Sequence, residues 1–96
     1  MKMKLEDLWE KLNGKIDGFT PAILMFEHIE TGEMIDKFVM IKDGTRQQVF
    51  GTTQSVLDAI NLTDDELIHY VTEWTKACGQ SLAEGDYRSL QGSVKE

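Results

Sequence analysis

Two apolar runs of strand length, Ala22 to Ile29 and Glu33 to Ile41, flank a short turn at Glu30-Thr31-Gly32. That pattern predicts a β-hairpin. A second turn, Lys42-Asp43-Gly44-Thr45, follows directly, and Asp-Gly suits the left-handed central residues of a two-residue hairpin turn. It predicts a third strand from Thr45 to Phe50, polar enough at Arg46, Gln47 and Gln48 to form a sheet edge. Gly51 is expected to end the sheet.

Helical spacing appears on both sides of this block. Leu5, Leu8, Trp9 and Leu12 fall at i, i+3, i+4 and i+7, which predicts a helix over about residues 4–13, closed by Asn13-Gly14. Trp9 is expected as a core or interface anchor. After the strands, Thr52 or Thr53 caps a short helix to about Ile60, with Val56, Leu57 and Ile60 facing inward. Thr63-Asp64-Asp65-Glu66 is a capping box, and Leu62 and Leu67 stand at the hydrophobic-staple positions. The helix it opens is expected to reach Ala83 with Leu67, Val71, Trp74, Cys78 and Leu82 as its apolar stripe, widened by Ile68 and Thr75. Residues 84–96 are polar, show no period and are expected to form a flexible tail beyond a domain spanning 1–83. The fold class is α+β: one small domain in the order α-β-β-β-α-α, a three-stranded antiparallel meander packed on helices.

Turn length fixes which residues share a face. A two-residue first turn pairs Glu27 with Asp36, and like charges directly opposite each other destabilise a sheet. A three-residue loop with Gly32 left-handed pairs Glu27 with Ile35 and Phe26 with Asp36, and is preferred. The second turn then sets Phe38 opposite Val49 and Met40 opposite Gln47. One face collects Ala22, Leu24, Phe26, His28, Met34, Phe38, Met40 and Val49. The other collects Ile23, Met25, Ile29, Ile35, Val39, Ile41 and Phe50. A sheet with one solvated side alternates cleanly. Here neither face is polar, so the second face is expected to meet another chain, a protein partner or a second copy in a homodimer.

Composition narrows the function. Ninety-six residues with 41% hydrophobic content build one modest core. A net charge of −7 argues against direct nucleic-acid binding and against anionic membranes. It suits a basic protein partner, including a nucleic-acid-binding enzyme whose polyanion site such a surface would occupy. Cys78 is the sole cysteine, which excludes an intramolecular disulfide and fits a reducing cytoplasm. The N-terminus turns acidic at Glu6-Asp7, unlike a signal peptide, and no apolar run approaches membrane-spanning length. A soluble, cytoplasmic protein is expected.

No catalytic, cofactor or metal site is assigned. Glu27, His28, Glu30 and Glu33 surround the first turn, but strand neighbours point to opposite faces and would split a metal cluster. His69 with Glu66 and Glu73 has helical spacing and reads as a surface group rather than a general base. Cys78 lacks the electropositive surroundings of a reactive thiolate. Partner contacts are expected at the acids Asp58, Asp64, Asp65, Glu66 and Glu73 and at the apolar residues Ile23, Met25, Ile35, Val39 and Phe50. The expected function is a non-enzymatic acidic protein-binding module, an inhibitor or regulator of the kind viruses direct against host nucleases and defence enzymes. The alternatives are a homo-oligomeric assembly subunit, and a small-ligand-binding or enzymatic domain whose pocket, between sheet and helices, is lined by Trp9, Trp74, Met25 or Met34.

Overall fold

The computed structural model describes residues 3–45 and 47–77 in full and the backbone of 87–95. Helix α1 (Leu5–Leu12) precedes strands β1 (Phe19–His28), β2 (Met34–Lys42) and β3 (Gln48–Thr53). Helices α2 (Gln54–Ala59) and α3 (Asp64–Lys76) follow, then strand β4 (Tyr87–Lys95). The class is α+β, and the first six elements run in the expected order. Tyr87–Lys95, expected in a flexible tail, instead pairs with β1 as a fourth strand, giving the sheet order β3-β2-β1-β4. Its pairing carries register shifts around Leu24, so an alternating side-chain pattern is not required of it. Helix α3 closes at Lys76 with Ala77 as its C-cap. The rest of the helix expected to reach Ala83, with Cys78 and Leu82, lies outside the described residues, as do Arg46 and residues 84–86.

The first hairpin takes neither register expected from its sequence. Gly32 is left-handed at φ 73, as expected, but the loop holds four residues, and His28 N–H donates to Glu33 O at 2.8 Å. Side chains support the longer loop: Thr31 N–H reaches His28 Nδ1 at 3.4 Å, and Glu33 N–H reaches Thr31 Oγ1 at 3.2 Å. Glu27 therefore faces Met34, and Met25 faces Asp36. The like-charge pair is avoided, by a different route from the three-residue bulge.

A similar device lengthens the second turn. Thr45 N–H donates to Lys42 O at 3.1 Å around Asp43-Gly44, but Gln47 N–H then turns back to Thr45 Oγ1 at 3.1 Å. The ladder resumes with Lys42 N–H to Gln47 O at 3.0 Å. Strand β3 thus starts at Gln48 rather than Thr45, and Met40 faces Phe50 while Phe38 faces Thr52. Between Met40 and Ile41 the register shifts, and the extra residue lets Val49 and Phe50 both enter the same core. Gly51 does not end the sheet. It is buried within β3, where a Cβ would sit 2.8 Å from Lys37 Cε, so glycine makes room for the lysine stem.

These registers reassign the faces. Ile23 stands opposite Phe38, and Ala22 opposite Val39. The helix-covered side carries Ile23, Phe38, Met40, Val49 and Phe50 against Leu5, Leu8 and Leu12 of α1, Leu57 of α2, and Leu67 and Val71 of α3. Trp9 is half-buried and its Nε1–H donates to Pro21 O at 3.0 Å, tying α1 to β1. The other side is a smaller cluster of Ala22, Phe26 and Val39, edged by Leu24, Ile35 and Ile41. Lys37 crosses it with its ammonium 5.1 Å from the Phe26 ring centre, and half-burial lowers the lysine pKa through desolvation. Val39 is fully buried and Phe26 is 5% exposed within the single chain. This side is therefore not the open apolar surface expected to meet another chain. Among the described residues the large exposed apolar side chains are Met25, Ile29 and Met34, grouped at the distal end of the hairpin.

One buried polar atom among the described residues lacks a partner, the hydroxyl of Thr75 in α3. Thr75→Val keeps the shape and removes the unpaired hydroxyl. It is expected to stabilise the fold by about 1 kcal/mol, a rise of about 4–8 °C in a thermal melt. An unchanged or lower Tm would show that the hydroxyl is satisfied in solution.

Candidate protein-docking groove

The capping box forms as its sequence dictates. Thr63 Oγ1 accepts Glu66 N–H at 3.2 Å, and Glu66 Oε1 accepts Thr63 N–H at 2.9 Å. The bond from the Thr63 backbone, seconded by its hydroxyl, holds the Glu66 carboxyl below the usual range, so it remains anionic at neutral pH. Its contribution to the helix start is present above the unfolded pKa and is lost as pH falls through the lowered folded value.

From this cap, α3 turns Leu67, Val71 and Thr75 into the core. The expected stripe placed Trp74 among the buried residues, but the i+4 step from Val71 falls on Thr75. Trp74 sits half-buried at the margin, 5.9 Å from Tyr70 between ring centres and tilted 47° to it. Residues three and four apart then line one edge of the helix. Leu62, Asp65, Glu66, His69, Tyr70, Glu73 and Trp74 enclose an open groove of about 510 Å³. The floor is aromatic and aliphatic and the walls carry three carboxylates. Among the described residues, the side-chain carboxylates of Asp65 and Glu73 take no hydrogen bond or ion pair. Such a groove can take a cation, its charge on the carboxylates and its stem or planar face on the rings.

Of the acids expected to contact a partner, Asp65, Glu66 and Glu73 come together here. Asp64 is exposed in the same helical turn but does not line the groove. Asp58 belongs to α2 and accepts Gln54 Nε2–H at 3.1 Å. The apolar set does not form one surface. Ile23 and Phe50 lie in the helix-side core, Val39 in the opposite cluster with Ile35 at its edge, and only Met25 is exposed. Ile23, Val39 and Phe50 are buried within the single chain, so they do not form an exposed apolar surface in this state.

Tyr70, Leu62 and His69 were not expected to line a binding surface. The available signal was Tyr70 at i+4 from Glu66 and i−4 from Trp74. A second cleft of about 570 Å³ lies where α1 and α2 begin, against the β1–β2 hairpin, lined in part by Lys4, Glu6, Ile23, Met34, Asp36 and Gln54. Of the residues expected around a ligand pocket it includes Met34, but not Trp9, Trp74 or Met25. Among the described residues no three His, Cys, Asp or Glu side chains gather as a metal site, and no helix is long and apolar enough to cross a membrane. Compared with protein-family models, with curated proteins and with solved structures, the chain matches none.

Proposed function

We propose that the chain is a non-enzymatic protein-binding module whose α3 groove receives Arg or Lys side chains of a basic partner. Occupying the basic surface that such a partner uses for nucleic acid makes it an inhibitor or regulator. One observation carries the reading: Asp65, Glu66 and Glu73 converge on the Tyr70–Trp74 pair instead of spreading over the surface. Net charge of −7 steers a basic partner toward the chain from any side, whereas the groove supplies a place for it to seat.

The test uses a blocked hexa-arginine peptide titrated at low salt. Asp65→Asn, Glu66→Gln and Glu73→Gln combined are expected to weaken binding about tenfold, from about 0.5 kcal/mol per exposed pair. Asp17→Asn, Glu30→Gln and Glu33→Gln remove the same charge from loops and are expected to change it less than about twofold. Equal losses in the two triple variants would mean that the peptide reads only net charge, and the groove would lose its role.

A further inference from the structure

The α3 groove has an order along the helix that its charge alone does not convey. Its acids and rings fall in two rows at i+4 steps: Glu66, Tyr70 and Trp74 in one, Asp65, His69 and Glu73 in the other. An α-helix advances about 1.5 Å and turns about 100° per residue. Glu66 and Glu73, seven residues apart in sequence, therefore stand about 10.5 Å apart along the axis and within about 20° of the same direction. Both are exposed. Tyr70 lies between them in height, turned toward the core side, and Trp74 lies further round. Both rings are half-buried. They form an apolar shoulder beside a two-turn line of carboxylates.

The first carboxylate of that line is held in place by the capping box, because Glu66 Oε1 accepts Thr63 N–H at 2.9 Å. The shoulder is distinct from the face that α3 buries, which is Leu67, Val71 and Thr75. A guest that satisfies both ends must present two cations on one side, about 10.5 Å apart, with apolar surface between them. A helix does so with Arg or Lys at i and i+7 and apolar residues at i+3 and i+4. A β-strand does not: residues three apart, about 10 Å, point to opposite faces. A second copy of this chain is repelled, since each carries a net charge of −7.

We propose that α3 docks a basic amphipathic helix of a partner protein, whose two cations, two turns apart, meet Glu66 and Glu73 while the apolar residues between them pack on Tyr70 and Trp74. The inference rests on the groove being a receptor for Arg or Lys, and adds the partner's secondary structure and the spacing of its cations. Recognition then reads the position of the charges as well as their number. Asp65 strengthens the negative field at the N-terminal end of the groove without setting that spacing.

The probes are two blocked peptides of identical composition, built from good helix formers. Ala-Ala-Arg-Ala-Gln-Leu-Leu-Gln-Ala-Arg-Ala-Ala places its arginines at i and i+7. Ala-Ala-Arg-Ala-Gln-Leu-Leu-Arg-Ala-Gln-Ala-Ala places them at i and i+5, about 140° apart around the helix. In NMR titration at low salt the first is expected to bind about two- to fivefold more tightly, the worth of one exposed ion pair. Its shift changes should centre on Tyr70 and Trp74, and its transferred NOEs should be those of a helix. Glu66→Gln keeps the capping box, because glutamine also serves at that position. Glu66→Gln and Glu73→Gln should each weaken the first peptide, whereas the second should respond to only one of them. Equal affinities of the two peptides for wild type, which need no variant to fold, overturn the inference, as does an extended bound conformation. If hexa-arginine binding still depends on Asp65, Glu66 and Glu73 in that event, the groove keeps its role and only the helix is lost. If neither hexa-arginine nor the first peptide responds to those substitutions, both readings fall.

Discussion

Phe38→Ala is expected to remove a large part of the stability of this chain. Phe38 is fully buried on the helix-covered side of β2, between Ile23 of β1 and Thr52 of β3. Truncating a buried phenylalanine costs about 3–5 kcal/mol. A chain of 96 residues has about 5–14 kcal/mol to lose, at about 0.05–0.15 kcal/mol per residue. Urea unfolding followed by circular dichroism measures the loss directly. Ile35→Ala, half-buried at the edge of the opposite cluster, should cost clearly less. The same experiment tests register. Ile23 and Phe38 are directly opposed, so a double-mutant cycle between them should give a coupling of about 0.5–3 kcal/mol. Leu24 faces Lys37 on the other side of the sheet and should couple with Phe38 by less than about 0.5 kcal/mol. Reversed couplings would place β1 one residue out of register.

That register was the part of the fold the sequence concealed. Helix starts were legible because their signals are local. Thr63 and Glu66 form the capping box, and Thr53 Oγ1 accepts Val56 N–H at 3.4 Å to open α2. The strands were legible from apolar runs. Turn lengths were not, although Gly32 and Gly44 are left-handed where the turns were expected, at φ 73 and 78. In both turns a threonine hydroxyl accepts the N–H two residues ahead, Thr31 from Glu33 and Thr45 from Gln47, which lets a longer loop satisfy its own backbone. Each added residue moves a strand's side chains to the other face. This is why Phe38 and Met40 were grouped with Ala22 and Phe26 rather than with Ile23. Strand β4 was hidden differently. Its register shifts break the period of two that marks a strand, and Gly92 within it weakens the signal further. At the α3 groove, the acids were legible as acids, but the aromatic floor was not. Trp74 was expected in the core, and Tyr70 gains meaning only once helix rotation puts Thr75 inward and both rings at one edge.

Trp74→Leu is expected to separate what that aromatic floor does for folding from what it does for binding. The indole is half-buried and packs against the helix-side core, so outright truncation to alanine mixes two effects. Leucine retains much of the apolar burial and should keep stability within about 1.5 kcal/mol of the parent. It has no π face, so binding of the hexa-arginine peptide should fall by about 2 kcal/mol, roughly thirtyfold, as for a central aromatic contact. Trp74→Phe restores a ring and should recover most of that loss. Salt adds an independent criterion. Raising ionic strength from 0.1 M to 1 M shortens the screening length from about 10 Å to about 3 Å. The difference between wild type and Glu73→Gln should therefore shrink in high salt, while the difference between wild type and Trp74→Leu should largely persist. A folded Trp74→Leu that binds arginine peptide like the wild type would confine the tryptophan to packing and leave recognition to the carboxylates alone.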